Sequence, residues 1–173
     1  PTKNEINSFE FVAQSLGGYS HASLEDYHSA KSAEDLINAW IGFGSFSRSK
    51  IKNKIDEQTN LKIWIGRFYE GLEGSAKTDK AEELFKLIYL RFAPLKIDEV
   101  VFQNFISFLE ERKRNEDLNY KRKFNRKVIE ELCKNLPRCK TIEFKDISKI
   151  KIKKIEDFYD DRFADSSDFV FTF

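Results

Sequence analysis

The chain has 173 residues, 40% of them hydrophobic with 17 Phe, and its 30 Lys and Arg offset 29 Asp and Glu to a formal net charge of +1. That is ample apolar material for one domain, while seven Gly and three Pro argue against a turn-dense β protein. No apolar run approaches the roughly 18 residues that cross a bilayer, no apolar leader follows Pro1-Thr2-Lys3, and two cysteines are too few for a disulfide framework, so the reading is cytoplasmic, with delivery into another cell leaving the same signature.

In chain order, Ile6, Phe9, Ala13 and Leu16 recur at helical spacing and predict a helix from Asn4 that stops at Gly17-Gly18. Ser23-Leu24-Glu25-Asp26 and Ser32-Ala33-Glu34-Asp35 are start signals, the second opening a helix through Leu36, Ile37, Trp40 and Ile41. Ser47 caps a long predicted helix from Arg48 to Gly71, its stripe built from Ile51, Ile55, Leu61, Trp64, Ile65, Phe68, Tyr69 and Leu72.

Thr78 caps a helix from Asp79 to Phe92 that Pro94 terminates, and Asp98 caps another from Glu99 to about Arg114. The second is apolar on most sides, through Val100, Val101, Phe102, Phe105, Ile106, Phe108 and Leu109, which predicts a central core helix. A helix from Asp117 to Asn135 follows, with Leu118, Phe124, Val128, Ile129, Leu132, Cys133 and Leu136 as its buried stripe. Ile142, Phe144, Ile150 and Ile152 alternate at strand period, while Ile147, Ile150, Lys154 and Phe158 fit a helix; a helix over Ser148–Arg162 is expected, with a small hairpin as the alternative. The expected fold is therefore all-α: a single bundle of six or seven helices over residues 1–173, with a possible small β element near the C-terminus.

No pattern fixes a chemistry. His21 and His28 lack the further ligands zinc needs, so neither a metal nor a small-molecule cofactor is expected. Cys133 and Cys139 read as ordinary thiols, with no His near them in sequence to serve as base. Gly42-Phe43-Gly44-Ser45 lacks the further Gly and the Lys of a phosphate loop. Glu143-Phe144-Lys145 resembles half of a metal-dependent nuclease site but has no second carboxylate on a neighbouring strand. Asp157, Asp160, Asp161, Asp165 and Asp168 read as a solvated acidic face. No catalytic residue is assigned and the expected protein is not an enzyme.

Charge is unevenly distributed. Residues 110–154 hold sixteen Lys and Arg against eight Asp and Glu, giving +8, offset by −2 over residues 1–109 and −5 over the acidic, aromatic tail at 155–173. The basic residues singled out for a phosphate backbone are Arg48, Lys50, Lys52, Lys54, Arg112, Lys113, Arg114, Arg122, Lys123, Arg126, Lys127, Lys151, Lys153 and Lys154, with Tyr120 available to stack on a base. The leading expectation is a non-enzymatic subunit that binds RNA or single-stranded DNA within a larger assembly. The alternative is a protein-interaction module that captures a partner through Phe169, Phe171 and Phe173, since so aromatic a terminus must pack or meet a partner. Neither reading involves a membrane.

Overall fold

The computed structural model describes residues 7–42, 59–134, 136–139 and 142–173. Its organising element is a sheet. Strands β1 (Ser8–Leu16), β2 (Asn60–Ile65), β3 (Tyr69–Lys77) and β4 (Val170–Thr172) pair antiparallel in the order β2-β3-β1-β4. Among the described residues six α-helices accompany it: α1 (Tyr27–Trp40), α2 (Ala81–Arg91), α3 (Glu99–Asp117), α4 (Tyr120–Leu132), α5 (Phe144–Ile147) and α6 (Ile152–Arg162). The fold is mixed α/β, which corrects the all-α expectation.

The helix expected up to Leu16 is strand β1. Phe9, Phe11, Ala13 and Ser15 turn inward, and Glu10, Val12, Gln14 and Leu16 turn outward, the period-2 pattern of a half-buried strand. The second half of the predicted Arg48–Gly71 helix is the β2–β3 hairpin, while its first half lies outside the described residues. Leu61, Ile63 and Ile65 face inward opposite Gly74, Leu72 and Glu70. On the outer face Trp64 lies across Gly71, where a Cβ would sit 2.5 Å from the indole and 2.1 Å from the Ala13 carbonyl oxygen.

Helices α1 and α2 cover the inner face. Phe11, Ile63, Leu72, Leu36, Ile37 and Leu84 are essentially fully buried between the layers, each large side chain stabilising the fold by roughly 1.5–3 kcal/mol. Helix α1 also closes the β2 edge with side chains. Asn38 Nδ2 donates to the Ile63 carbonyl at 2.7 Å, the Ile63 amide donates to Asn38 Oδ1 at 3.1 Å, and the Ile65 amide donates to Glu34 Oε2 at 2.7 Å. Backbone groups that would otherwise template a further strand are thereby satisfied.

One of the expected caps holds. Asp98 accepts from the Val100 and Val101 amides at the start of α3. Ser23 instead bonds Asp26, and α1 runs through Ser32, which is buried rather than a cap. Helix α3 is not the central core helix: it buries Phe102, Phe105 and Leu109 but leaves Val100 and Phe108 exposed. The C-terminal hairpin alternative gives way to α5 and α6. Asp160 and Glu156 of α6 accept from the Leu95 and Ile97 amides, fastening the extended segment between α2 and α3.

The aromatic tail packs into the chain that carries it. Phe169 is buried against Phe92 and Phe163, Phe171 turns inward opposite Ala13, and the Phe173 ring meets Phe11 and Phe85. Phe169 is thus a core residue of the sheet layer and Phe171 packs partly buried against that core.

Candidate functional site

The side of the sheet away from α1 and α2 carries a groove of about 750 Å3. Its floor is the outward face of the β4-β1-β3 end: Val12, Gln14 and Leu16 of β1, Val170 and Thr172 of β4, and Tyr69 of β3. His21, Arg162 and Asp168 supply polar groups at its wall. Leu16 and Val170 are 73% and 72% exposed, so apolar surface here is open to a ligand. Because β4 is only three residues long and last in the sheet order, the groove runs out along the edge strand of the sheet among the described residues.

One buried ion pair sets the wall. Glu70 is fully buried on the inward side of β3, opposite Ser15. Arg162, at the end of α6, donates to Glu70 Oε1 through Nη2 at 2.7 Å and Nε at 2.9 Å, and Nη2 also donates to the Leu16 carbonyl at 2.8 Å. Hydrogen bonding to Glu70 raises the Arg162 guanidinium above its usual value. The Gly18 amide donates to the other Glu70 oxygen. Gly17-Gly18, expected to stop a helix, instead lets the chain pass over this carboxylate. A Cβ on Gly17 would sit 2.3 Å from Glu70 Oε1, and Gly18 has φ +75°.

Of the basic residues singled out for nucleic acid, seven of the ten among the described residues stand beside acids. Arg112 pairs with Asp35 at 3.2 Å, Arg114 with Glu110 at 3.5 Å, Arg122 with Glu116 at 3.4 Å and Arg126 with Asp117 at 2.8 Å. Lys153 pairs with Asp157 at 2.7 Å and Lys154 with Asp26 at 2.8 Å. Lys113 is buried beside Glu116 at 3.8 Å. Tyr120, Lys123, Lys127 and Lys151 stay exposed. Arg48, Lys50, Lys52 and Lys54 fall outside the described residues. Sequence reading missed the groove because its members lie far apart in the chain. Glu70 left no signal at all, being one carboxylate among 29 acids.

Among the described residues no group of three or more His, Cys, Asp or Glu is placed to hold a metal ion, and no helix is long and apolar enough to cross a membrane. Cys133 and Cys139, read as free thiols, are joined in a disulfide.

No protein-family model matches the chain, and neither does any curated protein. Solved structures do match. The periplasmic protease PqqL from Escherichia coli superposes with a TM-score of 0.78 at 18% identity, over 98% of this chain and 19% of that one. The ferredoxin protease FusC, solved in complex with Arabidopsis ferredoxin, gives 0.71 at 20% identity, over 91% of this chain and 17% of that one. A protease from Helicobacter pylori gives 0.69 at 12% identity, over 99% of this chain and 41% of that one.

The shared fold is therefore one found in proteases, and the chain spans less than half the length of each. This overturns the non-enzymatic nucleic-acid-binding subunit and the expectation that the protein has no place in enzyme chemistry. The physical reason for the error is that a block of cations was read as a surface when its charges are largely spent on neighbouring carboxylates.

Proposed function

We propose that this chain is a polypeptide-handling domain of a protease, its groove on the exposed sheet face holding an extended segment of substrate. The observation that carries this reading is the groove itself: an open, partly apolar channel that runs out along the short, last strand of a sheet whose fold is that of proteases. An extended chain laid beside β4 gains main-chain hydrogen bonds, while alternate side chains meet Val12, Leu16 and Val170. Arg162 and His21 favour carbonyl or carboxylate groups of the substrate at the wall. In this reading the bond-breaking group comes from another part of the same assembly, which the 17–41% share of its structural neighbours that the chain spans supports.

Two features support a reading of the compartment. A Cys133–Cys139 disulfide is at home in an oxidising environment, and one structural neighbour is periplasmic. We therefore place the protein outside the reducing cytoplasm, in contrast to the reading from sequence.

The test is fluorescence anisotropy with a labelled, reduced and carboxymethylated polypeptide that cannot fold. Saturable binding that weakens about tenfold or more, equivalent to about 1.4 kcal/mol, in Leu16→Glu or Val170→Pro supports the groove. Absence of saturable binding, or binding indifferent to both substitutions in folded variants, overturns it.

A further inference from the structure

The connector between β1 and α1 is gripped from two sides. On one side the Gly17 amide donates to the Phe68 carbonyl at 2.8 Å, the Tyr19 amide to the Gly66 carbonyl at 3.0 Å and the Ser20 amide to the Arg67 carbonyl at 3.0 Å, so the β2–β3 turn fixes its first half. On the other side stands Arg138, 118 residues from Ser20 in sequence. Its Nη1 donates to the Ser20 carbonyl at 2.9 Å and its Nη2 to the Ala22 carbonyl at 2.6 Å. One planar guanidinium fork thus clamps the carbonyls on either side of His21, and bonds from a charged donor are among the stronger ones. The His21 amide closes the turn by donating to the Gly18 carbonyl at 3.2 Å.

Arg138 is itself held. Its guanidinium lies 5.6 Å from the centre of the buried Tyr27 ring, the Tyr27 hydroxyl donates to its carbonyl at 2.5 Å, and the next residue, Cys139, is joined to Cys133. It forms no ion pair among the described residues, so its polar bonds go to the two carbonyls that flank His21. Ala22 is buried, whereas His21 is exposed and lines the groove. The fork therefore presents an imidazole at the groove wall on a backbone fixed before any ligand arrives. A group whose freedom is already lost costs less to engage on binding.

We propose that Arg138 is a positioning residue for the groove: it sets the backbone at His21 so that the imidazole meets the polar groups of an extended polypeptide. This rests on the polypeptide-groove reading above and adds to it a residue that does not itself line the groove.

A double-variant cycle in the anisotropy titration with reduced, carboxymethylated polypeptide tests it. His21→Ala and Arg138→Met are each expected to weaken binding about two- to tenfold. The variant carrying both is expected to bind no more weakly than His21→Ala alone. NMR of the imidazole signals supplies a reading that general loosening would not give. The His21 signal, assigned by its absence from His21→Ala, shifts when polypeptide is added to the parent and stays still in Arg138→Met, with circular dichroism unchanged. If Arg138→Met costs the fold, Arg138→Lys, which keeps the charge but not the fork, goes through the same cycle. Arg138 variants that bind as the parent does, or whose loss multiplies with that of His21→Ala, overturn the proposal. Where Leu16→Glu weakens binding and the Arg138 variants do not, the role of Arg138 falls and the groove stands; where the parent shows no saturable binding, both fall.

Discussion

Glu70 and Arg162 stand 92 residues apart in sequence, yet one guanidinium nitrogen of Arg162 bridges the buried Glu70 carboxylate and the last carbonyl of β1. The pair locks three elements together, namely β1, β3 and the end of α6, at the wall of the groove. A buried carboxylate stripped of its partner is costly, commonly about 3–5 kcal/mol. Arg162→Met should therefore lower stability to urea by roughly that amount. Glu70→Leu combined with Arg162→Met should recover a large part of the loss. A double variant as unstable as the sum of the singles would show that the two residues do not act as a pair.

Asn38 substitutes for a missing neighbour strand at Ile63. Asn38→Leu leaves a strand-edge amide and carbonyl without partners, at an expected cost of about 1–3 kcal/mol. It should also raise light scattering on heating, because the bared β2 edge can pair between molecules. Asn38→Asp keeps the acceptor for the Ile63 amide and loses only the donor, so it should fall between the two in thermal denaturation.

His28 makes stability pH-dependent. Burial holds its imidazole below the usual value, with Lys149 and Lys31 pushing the same way and Asp146, 3.6 Å from Nε2, opposing. Unfolded chains take up the proton near about pH 6.5, whereas the folded chain resists it to lower pH. The contribution of His28 is thus fully present above that value and is lost as pH falls below it. Equilibrium unfolding of His28→Gln should show a flatter loss of stability than the parent from about pH 7 to about pH 5. An unchanged slope would count against the assignment.

The Cys133–Cys139 disulfide ties the end of α4 to a segment that Arg138 anchors. Arg138 donates to the Ser20 and Ala22 carbonyls at 2.9 and 2.6 Å, and the Tyr27 hydroxyl donates to the Arg138 carbonyl at 2.5 Å. Closing so short a loop is worth about 2 kcal/mol. Since α4 buries no residue, reduction should loosen that helix locally and leave the sheet intact. Hydrogen exchange should accelerate over Tyr120–Leu132 while β1 and β3 stay protected. Uniform acceleration across the chain would refute a local role.

Much of the helical part was legible. The start at Asp98, the stop before Pro94 and the existence of α4 rest on local chemistry: a side-chain oxygen on early amides, a missing N–H, a 3.6-residue stripe. The strands were misread because their apolar residues satisfy both periods. Ile6, Phe9, Ala13 and Leu16 fit a helix; Phe11, which that stripe omits, is the residue that betrays β1, as Ile63 betrays β2. The candidate groove was not legible at all, since its walls come from residues near positions 12, 70, 162 and 170.

By itself the sequence determined roughly where α2, α3 and α4 lie, the uneven spread of charge, and the amphipathic stripe of α4, because each depends on neighbours within a turn or two of chain. Only the tertiary structure decided that β1 pairs with β3 and β4, that Phe169 belongs to the core with Phe171 packed against it, that seven of the ten named basic side chains among the described residues are answered by carboxylates, and that the α4 stripe faces outward. Each is settled by contacts between residues tens of positions apart, whose gain in burial and hydrogen bonding outweighs the small local preferences that a sequence displays.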